Sequence, residues 1–283
     1  MSKIINLSLP WVESDLLEFY LNSKPKKIQK IAKLFHDNGY IIVDLKLSKN
    51  YINATINDIK NLAFNSNSKK NPKYYHYNKN PRIIEGFKKS KFIRNLCHNK
   101  IVITLLKKLY EKKPIPINSI NFIKGTDQPL HSDYIHFGSI PHKYLAAAWI
   151  ALENTDYKNG TISLVPGSHK LDIVDYETFN LPTPSSTEEI SKFYKIYENY
   201  IKDVVKSKKL KIKNIKLKPG QAIIWAANLL HGGKKIIDKK RTRFSQVVHY
   251  HFENCKIIYN PMFSSPSEGR FSERNIKKLE IKK

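Results

Sequence analysis

Apolar residues recur at helical spacing after Pro25, where Ile28, Ile31, Ala32, Leu34 and Phe35 follow one another at intervals of one, two and three. Proline suits a helix start and Asn38-Gly39 suits a helix end, so a helix is expected between them. Residues 40–45, Tyr-Ile-Ile-Val-Asp-Leu, then read as a strand. A second helix is expected over 50–63, with Ile52, Ile56, Ile59 and Leu62 on one face. The stretch 65–80 is polar and rich in Lys, Asn and Tyr, and reads as a loop. Its Tyr74, Tyr75 and Tyr77 are either substrate contacts or solvated side chains. Helical spacing returns over 84–112, where Phe92, Leu96, Val102, Leu105, Leu106 and Leu109 are the core candidates.

At Pro114-Ile115-Pro116 the pattern changes to short apolar runs punctuated by Gly and Pro. Strands are expected at 120–124, 145–152, 161–165, 211–217, 221–226 and 243–251, with 130–133 in or beside another. Pro166-Gly167-Ser168-His169 reads as a tight turn and 171–185 as a polar loop. Ser186-Thr187-Glu188-Glu189 is a capping-box pattern, opening a helix through Ile190, Phe193, Tyr194, Tyr197 and Ile201. Strands that do not alternate with crossover helices argue against a long parallel sheet and for a sandwich or jelly roll. The expected architecture is mainly β with supporting helices, in a single domain over 1–283. Residues 1–115 are mostly helical support, 116–255 the jelly-roll core with one helical insertion, and 256–283 a tail or lid.

Composition adds to this picture through charge. The chain has 283 residues and a formal net charge of +26, from 50 Lys and Arg against 24 Asp and Glu. Such a surface fits nucleic acid, anionic lipid or an acidic substrate. Only six of the basic residues are Arg, however (82, 94, 241, 243, 270 and 274); the other 44 are dispersed Lys. Forked contacts to phosphate and guanine prefer Arg. The charge therefore reads as codon usage, nucleic acid is not the expected partner, and each Arg becomes a candidate for a specific role. Cys97 and Cys255 have neither metal-ligand spacing nor the density of a disulfide scaffold, which fits a reducing compartment. No apolar run reaches membrane-spanning length and the N-terminus lacks a signal-peptide core, so a cytoplasmic protein is expected.

Candidate chemistry begins at His131-Ser132-Asp133. In an extended segment residues two apart point the same way, so the imidazole and carboxylate stand side by side. Alone this pair is common. Further on, His231 closes a buried apolar run and is followed by two glycines, which permit close backbone approach. It is either a third ligand or a core histidine. Two His and one carboxylate form the set that holds Fe(II) with positions left open. Arg243 and Ser245 lie on one strand face, a guanidinium fork and a hydroxyl suited to a carboxylate. Arg241 competes for that role. His169 is expected to cap or pack its turn.

The ordered set of H-x-D, then His, then R-x-S is what carries information. With Ala148–Asn154, Asn159-Gly160, Pro166–His169, Leu230–Gly233 and Thr242–Ser245, the chain resembles the phytanoyl-CoA dioxygenase family of Fe(II)/2-oxoglutarate-dependent oxygenases from about 121 to 262. The resemblance implies a double-stranded β-helix (cupin-like) core. It implies iron ligands at His131, Asp133 and His231, 2-oxoglutarate and O2 as cosubstrates, and Arg243, helped by Ser245, on the distal carboxylate of 2-oxoglutarate. Family relatives that halogenate lack the carboxylate ligand, so Asp133 favours hydroxylation or a related oxidation such as desaturation. Gln128, Tyr134, His136, Phe137, Trp225 and Asn228 flank the ligands and are the expected substrate contacts. Lys124 and Lys143 are candidates for pairing with an anionic small molecule. The rival readings are a non-catalytic jelly-roll binding protein, for sugar or nucleic acid, and an oxygenase modifying nucleic acid.

Overall fold

Pro25 caps the first long helix and Gly39, at φ 79°, ends it, so the two residues that punctuate the sequence also bound the element. A side chain at Gly39 would also collide with the His169 ring, 2.5 Å from where its Cβ would stand. The computed structural model describes residues 9–65, 74–77, 80–174, 177–181 and 187–259. In chain order these form α1 (Leu17–Leu21), α2 (Lys26–Asn38), β1 (Tyr40–Asp44), α3 (Lys49–Asn65), β2 (Tyr74–Tyr77) and β3 (Asn80–Ile84). Next come α4 (Lys91–Cys97), α5 (Lys100–Tyr110), β4 (Pro114–Phe122), β5 (Phe137–Ile140), β6 (Leu145–Ala151) and β7 (Ile162–Leu164). The last elements are α6 (Thr187–Ser207), β8 (Lys213–Ile215), β9 (Gln221–Ala226), β10 (His231–Gly233), β11 (Ser245–Phe252) and β12 (Lys256–Tyr259). None of the described helices is long and apolar enough to cross a membrane.

The strands pair antiparallel, in a large sheet ordered β1-β9-β6-β11-β4-β3-β2, a small sheet β10-β7-β8 and a pair β12-β5. This is the expected mainly antiparallel jelly roll with supporting helices. Both faces of the large sheet are covered. Residues such as Ala148, Ile150, Ala222, Ile224, Val248 and Tyr250 pack outward against Phe35, Ile59, Leu96 and Leu106 of the helices. Their neighbours Trp149, Ile223, Trp225 and Val247 face inward with Ile162 and Leu164 of β7. Double coverage explains why all seven residues of β6 are buried and why the strand reads as an unbroken apolar run.

Several expectations need correction. The large sheet begins before residue 116: β1, β2 and β3 belong to it, and β4 starts at Pro114, six residues before the strand read from the sequence. Residues 74–77, read as loop, form a strand because β3 gives them a partner. The helical stretch 84–112 is broken by caps: Ser90 Oγ accepts from Ile93 N, and Asn99 Oδ1 accepts from Ile101 N. Phe92 and Leu34 lie on exposed faces, not in the core. The strand at 211–217 shortens to β8, and the one at 243–251 starts at Ser245, leaving Arg243 just ahead of it. Ser186 of the capping box and the 260–283 part of the expected tail or lid lie outside the described residues.

Candidate functional site

His131 and His231 exchange backbone hydrogen bonds, each N donating to the other's carbonyl oxygen at 2.9 Å. This single antiparallel bridge is all the strand that the 130–133 segment forms. Ser132 is nevertheless extended (φ −97°, ψ 145°), which keeps His131 and Asp133 on one side before Asp133 opens a 3-10 turn. The bridge draws the two imidazoles to 4.4 Å between ring centres. Close approach is possible because β10 continues in glycine: a Cβ on Gly232 would stand 2.7 Å from the Gln128 carbonyl oxygen. One ligand atom from each of His131, Asp133 and His231 lies within 4.8 Å of the other two.

The tautomers of both rings follow from their partners. His131 Nδ1 lies 2.9 Å from Pro129 O, and His231 Nδ1 lies 2.9 Å from Leu229 O. A carbonyl can only accept, so each Nδ1 carries the proton and each Nε2 keeps its lone pair for the site. Burial drives the His131 imidazole well below its ordinary pKa, which holds the ring neutral. Asp133 is fixed from two sides. Trp225 Nε1 donates to Oδ2 at 2.9 Å, while Oδ1 lies 3.5 Å from His231 Nε2 and 3.4 Å from His249 Nε2. Burial pushes the Asp133 carboxyl up, but the imidazoles of His231, His249 and His131 outweigh it and hold the group below the usual carboxylate range. Behind the ligands, Ser132 N donates to Tyr197 Oη at 2.9 Å, and Ser132 Oγ donates to Ala227 O and Asn228 Oδ1. Helix α6 thus braces the ligand loop.

The three residues open onto a cavity of about 300 Å³ between the sheets, lined also by Phe122, Trp149, Val247, His249 and two arginines, Arg82 and Arg243. Arg243 is 3% exposed. Its Nη1 donates to Gly160 O at 2.6 Å and its guanidinium lies 5.2 Å from the Trp149 ring centre. Its Nε is buried with no hydrogen-bond partner. Burial, and then Arg82, lower its pKa to about 10. Arg241, the competitor, points elsewhere: its Nη1 donates to both carboxylate oxygens of Asp156, at 3.0 and 2.8 Å, near the surface. Ser245 is fully buried on the same strand side as Val247, its Oγ 3.4 Å from Arg243 O.

The expected substrate contacts divide. Gln128, His136, Phe137 and Trp225 line the cavity. Tyr134 does not: the 3-10 turn swings it under the loop, where its hydroxyl accepts from Lys143 N and lies 3.3 Å from Ser139 Oγ. Asn228 is likewise turned away, its Nδ2 donating to His169 O at 3.2 Å and Leu171 O at 2.7 Å. Lys124 Nζ donates to Lys239 O, and Lys143 Nζ sits 4.0 Å from Glu13, so neither lines the cavity. His169 packs its turn, with Nε2 3.0 Å from His36 O. Two titratable residues of the cavity were not anticipated as site residues, Arg82 on β3 and His249 on β11. Scarcity of arginine is the signal that could have found Arg82.

The geometry has counterparts among known proteins. Rat peroxisomal phytanoyl-CoA dioxygenase is 25% identical over 138 residues, 48% of this chain and 36% of that protein. A probable phytanoyl-CoA dioxygenase of Caenorhabditis elegans is 24% identical over 134 residues, 46% of this chain and 38% of that protein. The matched stretch is therefore little more than a third of these relatives' length. Similar solved structures include the non-heme alpha-ketoglutarate-dependent carbocyclase SnoK of nogalamycin biosynthesis, at 14% identity and TM-score 0.63, covering 91% of this chain and 94% of that one. EctD from S. alaskensis with 2-oxoglutarate and 5-hydroxyectoine is similar at 17% identity and TM-score 0.63, covering 84% and 79%. These likenesses establish a shared fold. The phytanoyl-CoA dioxygenase family model matches residues 35–243, a span holding both bridged histidines, Asp133 and Arg243, and the chain belongs to that family.

Proposed function

We propose that the chain is an Fe(II)/2-oxoglutarate-dependent dioxygenase that hydroxylates a small-molecule substrate, yielding succinate and CO2. One observation carries the reading. Two imidazoles with carbonyl-fixed Nδ1–H groups and one doubly held carboxylate converge at a buried cavity, the neutral-nitrogen and oxygen donor set that suits Fe(II). On the same cavity Arg243 presents a buried guanidinium whose Nε lacks a partner, as a site for a dicarboxylate requires.

In this reading His131, Asp133 and His231 hold the metal, which when bound supplies the O2 chemistry that splits 2-oxoglutarate and oxidises the substrate. Arg243 pairs with the distal carboxylate of 2-oxoglutarate, while Ser245, expected to help it, is not among the residues lining the cavity and turns its hydroxyl to the Arg243 carbonyl. Trp225 and His249 fix the orientation of Asp133. Gln128 and His136 face the substrate. Phe122, Trp149 and Val247 keep the walls apolar, which excludes water and strengthens the ionic contacts. The overall change balances: substrate C–H, O2 and 2-oxoglutarate give substrate C–OH, succinate and CO2.

Succinate formation from 2-oxoglutarate, with Fe(II) under air, tests the proposal. Turnover that depends on added Fe(II) and is lost in Asp133→Ala is expected. Absence of turnover in the presence of substrate-rich cell extract, together with absence of Fe(II) binding, contradicts the proposal and favours the non-catalytic binding protein.

A further inference from the structure

One wall of the cavity is a ladder between β4 and β11. Ile120 stands opposite Val247 and Asn118 opposite His249, and directly opposed residues share a face of the sheet. All four line the cavity, as does Phe122 at the end of β4. The Arg243 guanidinium lies 5.8 Å from the Phe122 ring centre and marks one end of this wall. Asn118 marks the other, four residues back along β4, or about 13 Å of extended strand. That second end is close to the ligand set, because His249 Nε2 lies 3.4 Å from Asp133 Oδ1. Just past the pair the register slips. Tyr250 faces Pro116, so Ile117 is the unopposed residue of a β-bulge, a device that re-aims side chains beside a site.

Among the described residues two side-chain amides line the cavity, those of Gln128 and Asn118. Gln128 is engaged, its Oε1 accepting from Arg82 Nη2 at 2.8 Å. Asn118 is half-buried, and among the described residues nothing hydrogen-bonds its amide. Resting on the oxygenase reading above, we infer that Asn118 is a specificity-determining residue, and that the substrate offers it a neutral group that both donates and accepts hydrogen bonds, a carboxamide or a hydroxyl. The cosubstrate occupies the Arg243 end in that reading, which leaves the Asn118 end to the substrate. A side-chain amide carries no charge and presents an N–H donor and a carbonyl acceptor together. A partner with both functions satisfies both atoms. One that only accepts leaves Asn118 Oδ1 unpaired against apolar walls, which is how a polar site rejects an analogue. Because this end adjoins Asp133, the recognised group sits near the carbon to be oxidised. The rings of Phe137 and His249, with centres 5.0 Å apart, flank it and suit a flat apolar body.

The test uses the full chain with saturating 2-oxoglutarate and Zn(II) in place of iron, so that nothing turns over. Benzamide and benzyl alcohol, which donate and accept, and acetophenone, which only accepts, are titrated calorimetrically. Wild type is expected to bind benzamide or benzyl alcohol at least about tenfold more tightly than acetophenone, the scale of two neutral hydrogen bonds. The tighter of the two names the group. Asn118→Leu should erase the preference while leaving the Kd of 2-oxoglutarate within about threefold. Asn118→Ser keeps a hydroxyl on a shorter reach and should lower the preference without erasing it. This variant decides the matter if the Leu variant fails to fold, since a preference unchanged in it overturns the inference. Equal binding of the three probes to wild type, binding of none, or a preference that survives Asn118→Leu also overturns it. Loss of 2-oxoglutarate binding in Asn118→Leu as large as in Arg243→Gln does the same, and assigns the amide to the cosubstrate. If wild type fails to bind 2-oxoglutarate, the oxygenase reading falls, and the probe preference of the metal-free chain still decides for or against Asn118.

Discussion

Ala146, Ala148 and Ile150 of β6 point outward to the helices, whereas Ala147, Trp149 and Ala151 of the same strand point toward the small sheet. The outer layer is completed by Val248, Tyr250 and Phe252 of β11, and the inner layer by Val247 with His249 and, just before the strand, Arg243. One set of strands therefore serves two purposes through a two-residue alternation. The outer face is filled by close-packed side chains, where the return is stability. The inner face keeps a cavity and gathers Asp133, His249 and the two arginines, and there Arg243 Nε and His249 Nδ1 are buried without a hydrogen-bond partner. A protein divided in this way should respond to substitutions according to face.

The largest expected effect is on the inner face. His231→Ala should weaken Fe(II) binding by about a hundredfold or more while leaving the melting temperature within a few degrees, because one of three ligands goes and no packed core is opened. Anaerobic metal titration and calorimetry read the two quantities. The mirror experiment is Phe35→Ala, which empties a fully buried position stacked edge-on against Tyr110 at 6.1 Å. It should cost about 3–5 kcal/mol of stability by chemical denaturation and leave the Fe(II) affinity of the folded protein unchanged. If Phe35→Ala strips metal without loss of stability, the division between faces is wrong.

A third substitution separates two arginines two residues apart. Arg243→Gln should raise the Kd of 2-oxoglutarate by about thirtyfold or more, since a buried charge-assisted contact is lost. Arg241→Gln breaks only the partly exposed pair with Asp156 and should leave that Kd within about twofold. The reverse result would move the cosubstrate site.

The smallest effect concerns a charged intruder on the helical side. Glu13 is buried and accepts from Tyr110 Oη at 2.9 Å, while its Oε2 has no hydrogen-bond partner and lies 4.0 Å from Lys143 Nζ. Burial raises its carboxyl from 4.5 to about 7, with Lys143 and the Tyr110 hydroxyl opposing the rise. The native state then keeps a proton that the unfolded chain releases, so stability falls as pH rises from about 4.5 through 7. Glu13→Gln cannot ionise. It should flatten that slope and stabilise the protein at pH 8 by on the order of 2 kcal/mol, measured by denaturation at pH 5 and 8. An unchanged slope would show that Glu13 carries no such penalty.

How legible the two faces were depends on what decides each residue. Helix α2 and strand β9 fall where the sequence places them, because Pro25, Gly39 and Pro219-Gly220 are local signals. His131, Asp133, His231 and Arg243 stood out in the sequence by residue type and order, and the structure brings all four to one cavity. Tyr134 and Asn228 were misread because adjacency to a ligand does not give direction. A 3-10 turn carries Tyr134 beneath the loop, and backbone carbonyls at 169 and 171 claim Asn228. Arg82 was missed because β2 and β3 are strands only by virtue of pairing, with β3 set against β4. Polar sequence with no apolar alternation carries no sign of such a partnership.

The central claim is that the inner face holds iron through His131, Asp133 and His231 and 2-oxoglutarate through Arg243. Anaerobic equilibrium dialysis of Fe(II) with 2-oxoglutarate present tests it directly, comparing wild type with Asp133→Ala. One iron per chain on wild type, and loss of that iron in the variant without loss of the fold, is the predicted result. Equal iron on both proteins, or none on either, would contradict it.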